Sequence, residues 1–172
     1  MSEEVPKAVR DVEASHIRKR IKRLLVDYRA LKAAIDDEFG VDFDADTWRQ
    51  AFESEEPSEV NRVASVVSAF ERIVNGLVEA ARSGLIAGGV ATPLGTKETV
   101  PTDLERVRDD GGLTEGQAKL LVELSRTRNE LEHVYIEVTA DDARGDIRRL
   151  RANLPAIVEA LNNWFTRHGV GV

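Results

Sequence analysis

The stretch Ile17-Arg-Lys-Arg-Ile21-Lys-Arg-Leu24-Leu25-Val-Asp-Tyr28-Arg-Ala-Leu31-Lys-Ala-Ala-Ile35 decides the fold class. Its apolar residues recur every three or four positions, the spacing of one face of an α-helix, with cations and polar residues between them. A helix over about 5–38 is expected, closed by Gly40 because a helix end favours the one residue free to adopt positive φ.

The same period continues outward along the chain. Asp46 is expected to cap a short helix near 46–54 carrying Trp48, Ala51 and Phe52. Pro57-Ser58 opens the next helix, whose apolar face is Val60, Val63, Val67, Phe70, Val74, Leu77 and Val78, with Gly84 ending it. Between 84 and 101 stand Gly84, Gly88, Gly89, Pro93, Gly95 and Pro101, the composition of a long loop. Thr102-x-x-Glu105 and Thr114-x-x-Gln117 fit the capping box, so helices are expected to start at both, the second reaching about Val138. Asp141 or Thr139 caps a last helix with Ile147, Leu150, Leu154, Ile157, Leu161 and Phe165 inward, kinked at Pro155. No strand pattern competes, since YIEV at 135–138 is too short and follows a helix directly. An all-α, up-down bundle of four main helices plus short ones near 46–54 and 103–109 is expected.

Composition bounds the function. The chain has 172 residues, the size of one domain at roughly 100–200 residues each, so a single domain over 1–172 with a short flexible N-terminus is expected. It has no Cys, which removes disulfides, thiol nucleophiles and Cys-type metal sites. Its three His (His16, His133, His168) are far apart in sequence, so no three-His metal site is expected. It carries no apolar run of transmembrane length and no secretory signal, and a soluble cytoplasmic protein is expected. The net charge of −7 argues against indiscriminate nucleic-acid coating. The charge is uneven, however. Seven cations face one anion, Asp27, between His16 and Lys32, whereas ten acids face one Arg between Asp36 and Glu59. Such a basic stripe permits a local polyanion site, although two solvated helix faces account for it as well.

Chemistry concentrates in Arg126-Thr-Arg-Asn-Glu-Leu-Glu-His-Val-Tyr135. On a helix at about 100° per residue, with Arg128 at 0°, Leu120, Leu124, Leu131, Val134 and Val138 fall between about −40° and −120°. That arc is the expected core stripe. Asn129, His133 and Arg126 fall near about 100°, 140° and 160°, facing away from it, with Val122 and Ile136 on their side. A polar face interleaved with apolar residues reads as a second contact surface. Plain alternatives exist for each member: His133 as a surface histidine, Arg128 and Glu132 as an i, i+4 ion pair, Tyr135 as a packing residue at the stripe's edge.

Arg128-Asn129-x-x-x-His133-x-Tyr135 resembles the R-x4-H-x-Y motif of HEPN-domain ribonucleases, and most of all the HepT-like toxins of toxin–antitoxin pairs. Pro101-Thr-Asp-Leu-Glu and Gly112-Leu113-Thr114 before the motif, and Thr139-Ala-Asp-Asp and Asn153-Leu154-Pro155 after it, are similar to the family's flanking helices. The resemblance spans roughly residues 15–167. Ile136, where an aromatic is common, and the long 84–101 loop depart from it. The resemblance implies a metal-independent, cofactor-free endoribonuclease, with His133 as general base or acid, Arg128 as phosphate stabiliser and Asn129, one turn below His133, orienting the ring or the phosphate. It implies a homodimer whose groove joins two motifs, which also answers the separation of about 140° between Arg128 and His133 on one helix. It further implies a small nucleotidyltransferase antitoxin that silences the toxin by transferring AMP to Tyr135. The competing expectation is a non-catalytic HEPN-like helical module that binds a nucleotidyltransferase or a nucleotide.

Overall fold

The computed structural model describes residues 5–92, 99–133 and 138–171, with the backbone alone for His133. Among these residues there are six helices and no strand: α1 (Lys7–Phe39), α2 (Ala45–Phe52), α3 (Pro57–Ala87), α4 (Val100–Asp109), α5 (Glu115–His133) and α6 (Ala140–Arg167). The fold is all-α, with four long helices and two short ones. None is long and apolar enough to cross a membrane.

The ion pairs reveal the topology. As numbers rise along α1 its partners fall along α3: Arg20 meets Glu79, Asp27 meets Arg72, and Glu38 meets Arg62. α1 and α3 therefore run antiparallel. α6 also runs antiparallel to α1, since Arg18 reaches the Gly171 carbonyl and Asp36 pairs with Arg151. α5 and α6 are antiparallel through Glu123–Arg149 and Thr127–Asp146. The expected stripes supply the core: Ile17, Ile21, Leu24, Leu31 and Ile35 from α1, Val63, Val67, Phe70, Val74 and Leu77 from α3, and all six apolar residues named for α6 are buried. Leu25 and Val60 are not core residues. They lie about half exposed, at 50% and 46%.

Aromatic clusters close both ends. Phe39, Phe43 and Trp48 interlock with ring centroids 5.0–5.9 Å apart, and the Trp48 Nε1 donates to the Ala140 carbonyl at 2.8 Å. A buried indole N–H needs such an acceptor. Phe43 holds the left-handed φ of 53° that a bulky residue rarely adopts; its burial at 1% exposed and the Arg144 guanidinium over its ring offset that strain. At the other end Trp164 packs on Phe165 and His168.

Several boundaries differ from expectation, each for a local reason. The α2 cap is Asp44, not Asp46: Thr47 donates both N–H and hydroxyl to Asp44 Oδ1, which holds that carboxyl below its usual pKa. Gly84 does not end α3, which runs on to Ala87 with Gly88 beyond it; Gly84 is buried against Trp164 and Phe165. α4 starts at Val100 after Thr99, so Thr102 lies inside its first turn and caps nothing. Pro101 explains this, because a first-turn proline needs no N–H partner. The α3–α4 connection is thus shorter than 84–101. α5 is described as far as His133, and Val138 and Thr139 are non-helical, so its expected end near Val138 falls on residues outside the described ones. Thr139 caps α6 by accepting from the Asp142 N–H at 3.1 Å. Pro155 lies inside α6, where it was expected.

Candidate functional site

The helix that carries the motif is anchored at its start. Thr114 and Gln117 form the full reciprocal capping box, with bonds of 2.9 and 3.2 Å. Leu120, Leu124 and Leu131 are buried as the stripe requires, but so are Leu121 and Ser125. These two sit at about +20° and +60° on the same wheel, on the far side of Arg128. The buried arc is therefore wider than the stripe, and Arg128 lies inside it. α3, α4 and α6 all pack on α5, which is why one apolar face is not enough.

Arg128 is held accordingly. Its side chain is only 24% exposed, with Nη2 3.0 Å from Glu132 Oε2. Nη1 donates to Asn129 Oδ1 at 2.6 Å, and Nε is buried without a partner among the described residues. The structure thus brings Arg128 and Asn129 into direct contact. Asn129 and Arg126 are exposed, as expected. The His133 backbone forms the last residue of α5, while its side chain lies outside the described residues. So do Tyr135 and Ile136. Val122 is partly buried against the core.

The motif has neighbours that the sequence did not single out. Glu71, on α3, has its carboxyl pKa raised, first by burial and then by Glu132, with Arg128 and Arg72 pulling the other way. Arg128 also borders a cleft of about 500 Å³ between α1, α3, α4 and α5. His16 and Arg20 reach it from α1, Arg82 from α3 and Asp103 from α4. Arg82 donates to Asp103 Oδ2 at 2.8 Å, and both are buried or nearly so, at 18% and 3% exposed. His16 Nδ1 lies 3.5 Å from Glu13. No local pattern joins residue 16 or 103 to residue 128; only the packing of four helices does. The one trace in the sequence was the basic stripe, which begins at His16. Within that stripe Arg18, Lys19, Lys22, Arg23, Arg29 and Lys32 are exposed.

Chemically, a guanidinium whose two terminal nitrogens rest on an exposed amide and a half-exposed carboxylate can exchange both for phosphate oxygens, a bidentate geometry it shares with few other side chains. Among the described residues no group of three or more His, Asp or Glu is placed to hold a metal ion. No family model, no curated protein and no solved structure matches this chain.

Proposed function

We propose that the chain is a metal-independent endoribonuclease of the HEPN type, acting as the toxin of a toxin–antitoxin pair. One observation carries the reading: Arg128, in contact with Asn129, is fixed half-buried on a helix whose next turn ends at His133, within an all-α bundle. RNA brings its own nucleophile, the 2′-OH. The enzyme has to remove that proton, stabilise charge on phosphorus and protonate the leaving 5′-oxygen. An imidazole with an ordinary pKa near 6.5 serves either proton transfer at neutral pH, typically giving about 10²–10⁴ in rate. His133 takes that role. Arg128, pre-positioned rather than mobile, binds the phosphate and follows its charge into the transition state. Asn129 orients the guanidinium that it already touches.

One imidazole cannot serve both transfers in the same step, so a homodimer that joins two motifs completes the groove. The exposed cations of α1 draw RNA towards it. Neutralisation comes from a nucleotidyltransferase antitoxin that moves AMP from ATP to the phenol of Tyr135, placing an anion beside Arg128 and a base in the channel.

The test is RNA digestion in EDTA by wild type, His133→Ala and Arg128→Ala, with circular dichroism as the fold control. Both variants are expected to lose cleavage. Full activity in either overturns the mechanism and favours the non-catalytic helical module. Co-expression with a minimal nucleotidyltransferase of the proposed antitoxin type, followed by intact mass, should add AMP units to wild type and none to Tyr135→Phe; an equal mass gain in the Phe variant removes Tyr135 as acceptor.

A further inference from the structure

Two arginines meet at one cavity with no carboxylate bonded to either. The cavity, of about 350 Å³, is lined by Arg10 of α1, by Ala87 and Gly88 at the end of α3, and by Arg167, His168 and Gly169 at the end of α6. Elsewhere in this acidic chain arginines rest on acids, as Arg20 does on Glu79, Arg72 on Asp27 and Arg82 on Asp103. Arg10 has no hydrogen bond or ion pair among the described residues. Its Nε is shut off from water, whereas its terminal nitrogens are not. Arg167 donates from Nη2 to a neutral group, the Gly111 carbonyl, at 2.6 Å, and the charge of Asp110 acts on it without a bond.

The third polar wall is a histidine with one nitrogen engaged. His168 is 21% exposed, and its Nε2 lies 2.6 Å from Asp110 Oδ2. A carboxylate only accepts, so Nε2 carries a proton and Nδ1 is the nitrogen left for a ligand. Nδ1 has no hydrogen-bond partner among the described residues. A Cβ on Gly88 would stand 2.8 Å from it, so the missing side chain of Gly88 leaves Nδ1 uncovered.

Cations at helix ends commonly serve the last carbonyls. Here the chain's own N–H groups already do so. Gly84, Ile86 and Leu85 accept from Gly88, Gly89 and Val90, and Trp164, Thr166 and Phe165 accept from His168, Gly169 and Val170. Those six carbonyls do not need the two guanidinium groups. An anion does, and an anion also favours a second proton on the imidazole, at Nδ1, which turns that nitrogen into a donor.

We propose that this cavity binds the phosphate of a small phosphomonoester, with Arg10 and Arg167 as guanidinium donors and protonated His168 as the third. A monoester carries close to two charges at neutral pH and three free oxygens, which suits three cationic donors. A diester has one charge and two free oxygens. The site is separate from Arg128 and does not depend on the ribonuclease reading.

The test is NMR titration of the intact protein with methyl phosphate and with dimethyl phosphate, at neutral pH and fixed ionic strength. The Cε1–H resonances of His16, His133 and His168 are followed, that of His168 being assigned from His168→Gln. Methyl phosphate should shift the His168 resonance to saturation, and dimethyl phosphate should bind at least about tenfold more weakly, the value of one charge-assisted hydrogen bond. Arg10→Ala should weaken methyl phosphate by about tenfold while melting as wild type does, since Arg10 has no partner to lose. Arg167→Ala, the second variant, should weaken it likewise. Lys19→Ala removes the same charge from an exposed position on α1 and should change the affinity by less than about twofold, because solvent and salt screen it. A shift that never saturates, equal affinity for the two esters, or equal weakening by Arg10→Ala and Lys19→Ala overturns the proposal. Movement of the His133 resonance alone overturns this site and leaves the ribonuclease reading standing. Saturation at His168 in a protein that cuts no RNA does the reverse.

Discussion

Replacing Gly84 with alanine separates two roles that a glycine near a helix end can play. If Gly84 merely stopped α3, alanine would extend the helix and gain about 1 kcal/mol of helix propensity. The structure gives it a different task. A Cβ at this position would lie 2.2 Å from Trp164 Cζ3 and 2.7 Å from Phe165 Cε1, distances that real carbon atoms do not reach. The indole has no easy retreat. Its Nε1 donates to Asp110 Oδ2 at 2.7 Å, and on another side Gly112 approaches so closely that a Cβ there would meet Trp164 Cδ2 at 2.7 Å. Overpacking a filled core costs about 1–3 kcal/mol, and pulling the indole off Asp110 adds about 1 kcal/mol more. Set against the propensity gain, the net loss is about 1–3 kcal/mol, or about 2–10 °C in Tm for a chain of this size. Urea and thermal unfolding followed by far-UV circular dichroism measure it, with tryptophan fluorescence reporting on Trp164. A Gly84→Ala protein as stable as wild type, or more stable, refutes the close-packing role.

Acid should weaken the same end of the molecule. Burial pushes the Asp110 carboxyl up, but its bonds to Trp164 and His168 outweigh burial and hold it below the usual aspartate value. A lowered folded pKa gives a stabilisation that is complete above the unfolded value of about 3.9 and lost as pH falls through the folded one; Asp110→Asn should flatten the stability profile below about pH 4, and an unchanged acid limb contradicts the assignment. Asp27 is the buried carboxylate between α1 and α3, bonded to Arg72 at 2.9 Å and Arg23 at 3.3 Å. Asp27→Ala should cost about 1–3 kcal/mol by urea denaturation, because both arginines are partly exposed and regain water; a change below about 0.5 kcal/mol would show the pair to be inert. Light scattering should give a dimer at micromolar concentration, and an active monomer refutes the shared groove.

The period of apolar residues made the helices legible, and the capping boxes were legible only where no stronger signal competed. Thr114-x-x-Gln117 forms both of its bonds, whereas Thr102-x-x-Glu105 loses to Pro101, which starts α4 earlier. Gly84 was misread because composition cannot tell a glycine that frees the backbone from one that makes room for a distant indole. The same holds at the site. The contact of Arg128 with Asn129 is local, yet the helical wheel, which sets the two about 100° apart, does not show it. The burial of Arg128 arises from helices that arrive on its other side, and the bond of Arg82 to Asp103 at the same cleft joins two different helices. These are properties of tertiary packing, which one helical wheel does not contain.

The central claim is that this chain cuts RNA with the substrate's own 2′-OH, and the ends of the product test it most directly. Purified protein should be incubated in EDTA with an RNA oligonucleotide and with the same oligonucleotide carrying a single 2′-deoxy sugar at the cleaved position, and the fragments analysed by mass. Attack by the 2′-OH predicts a 2′,3′-cyclic phosphate and a 5′-hydroxyl from the RNA, no cut at the deoxy position, and no products with His133→Ala. Cleavage at the deoxy sugar, a 5′-phosphate end, or undiminished products from His133→Ala would contradict it.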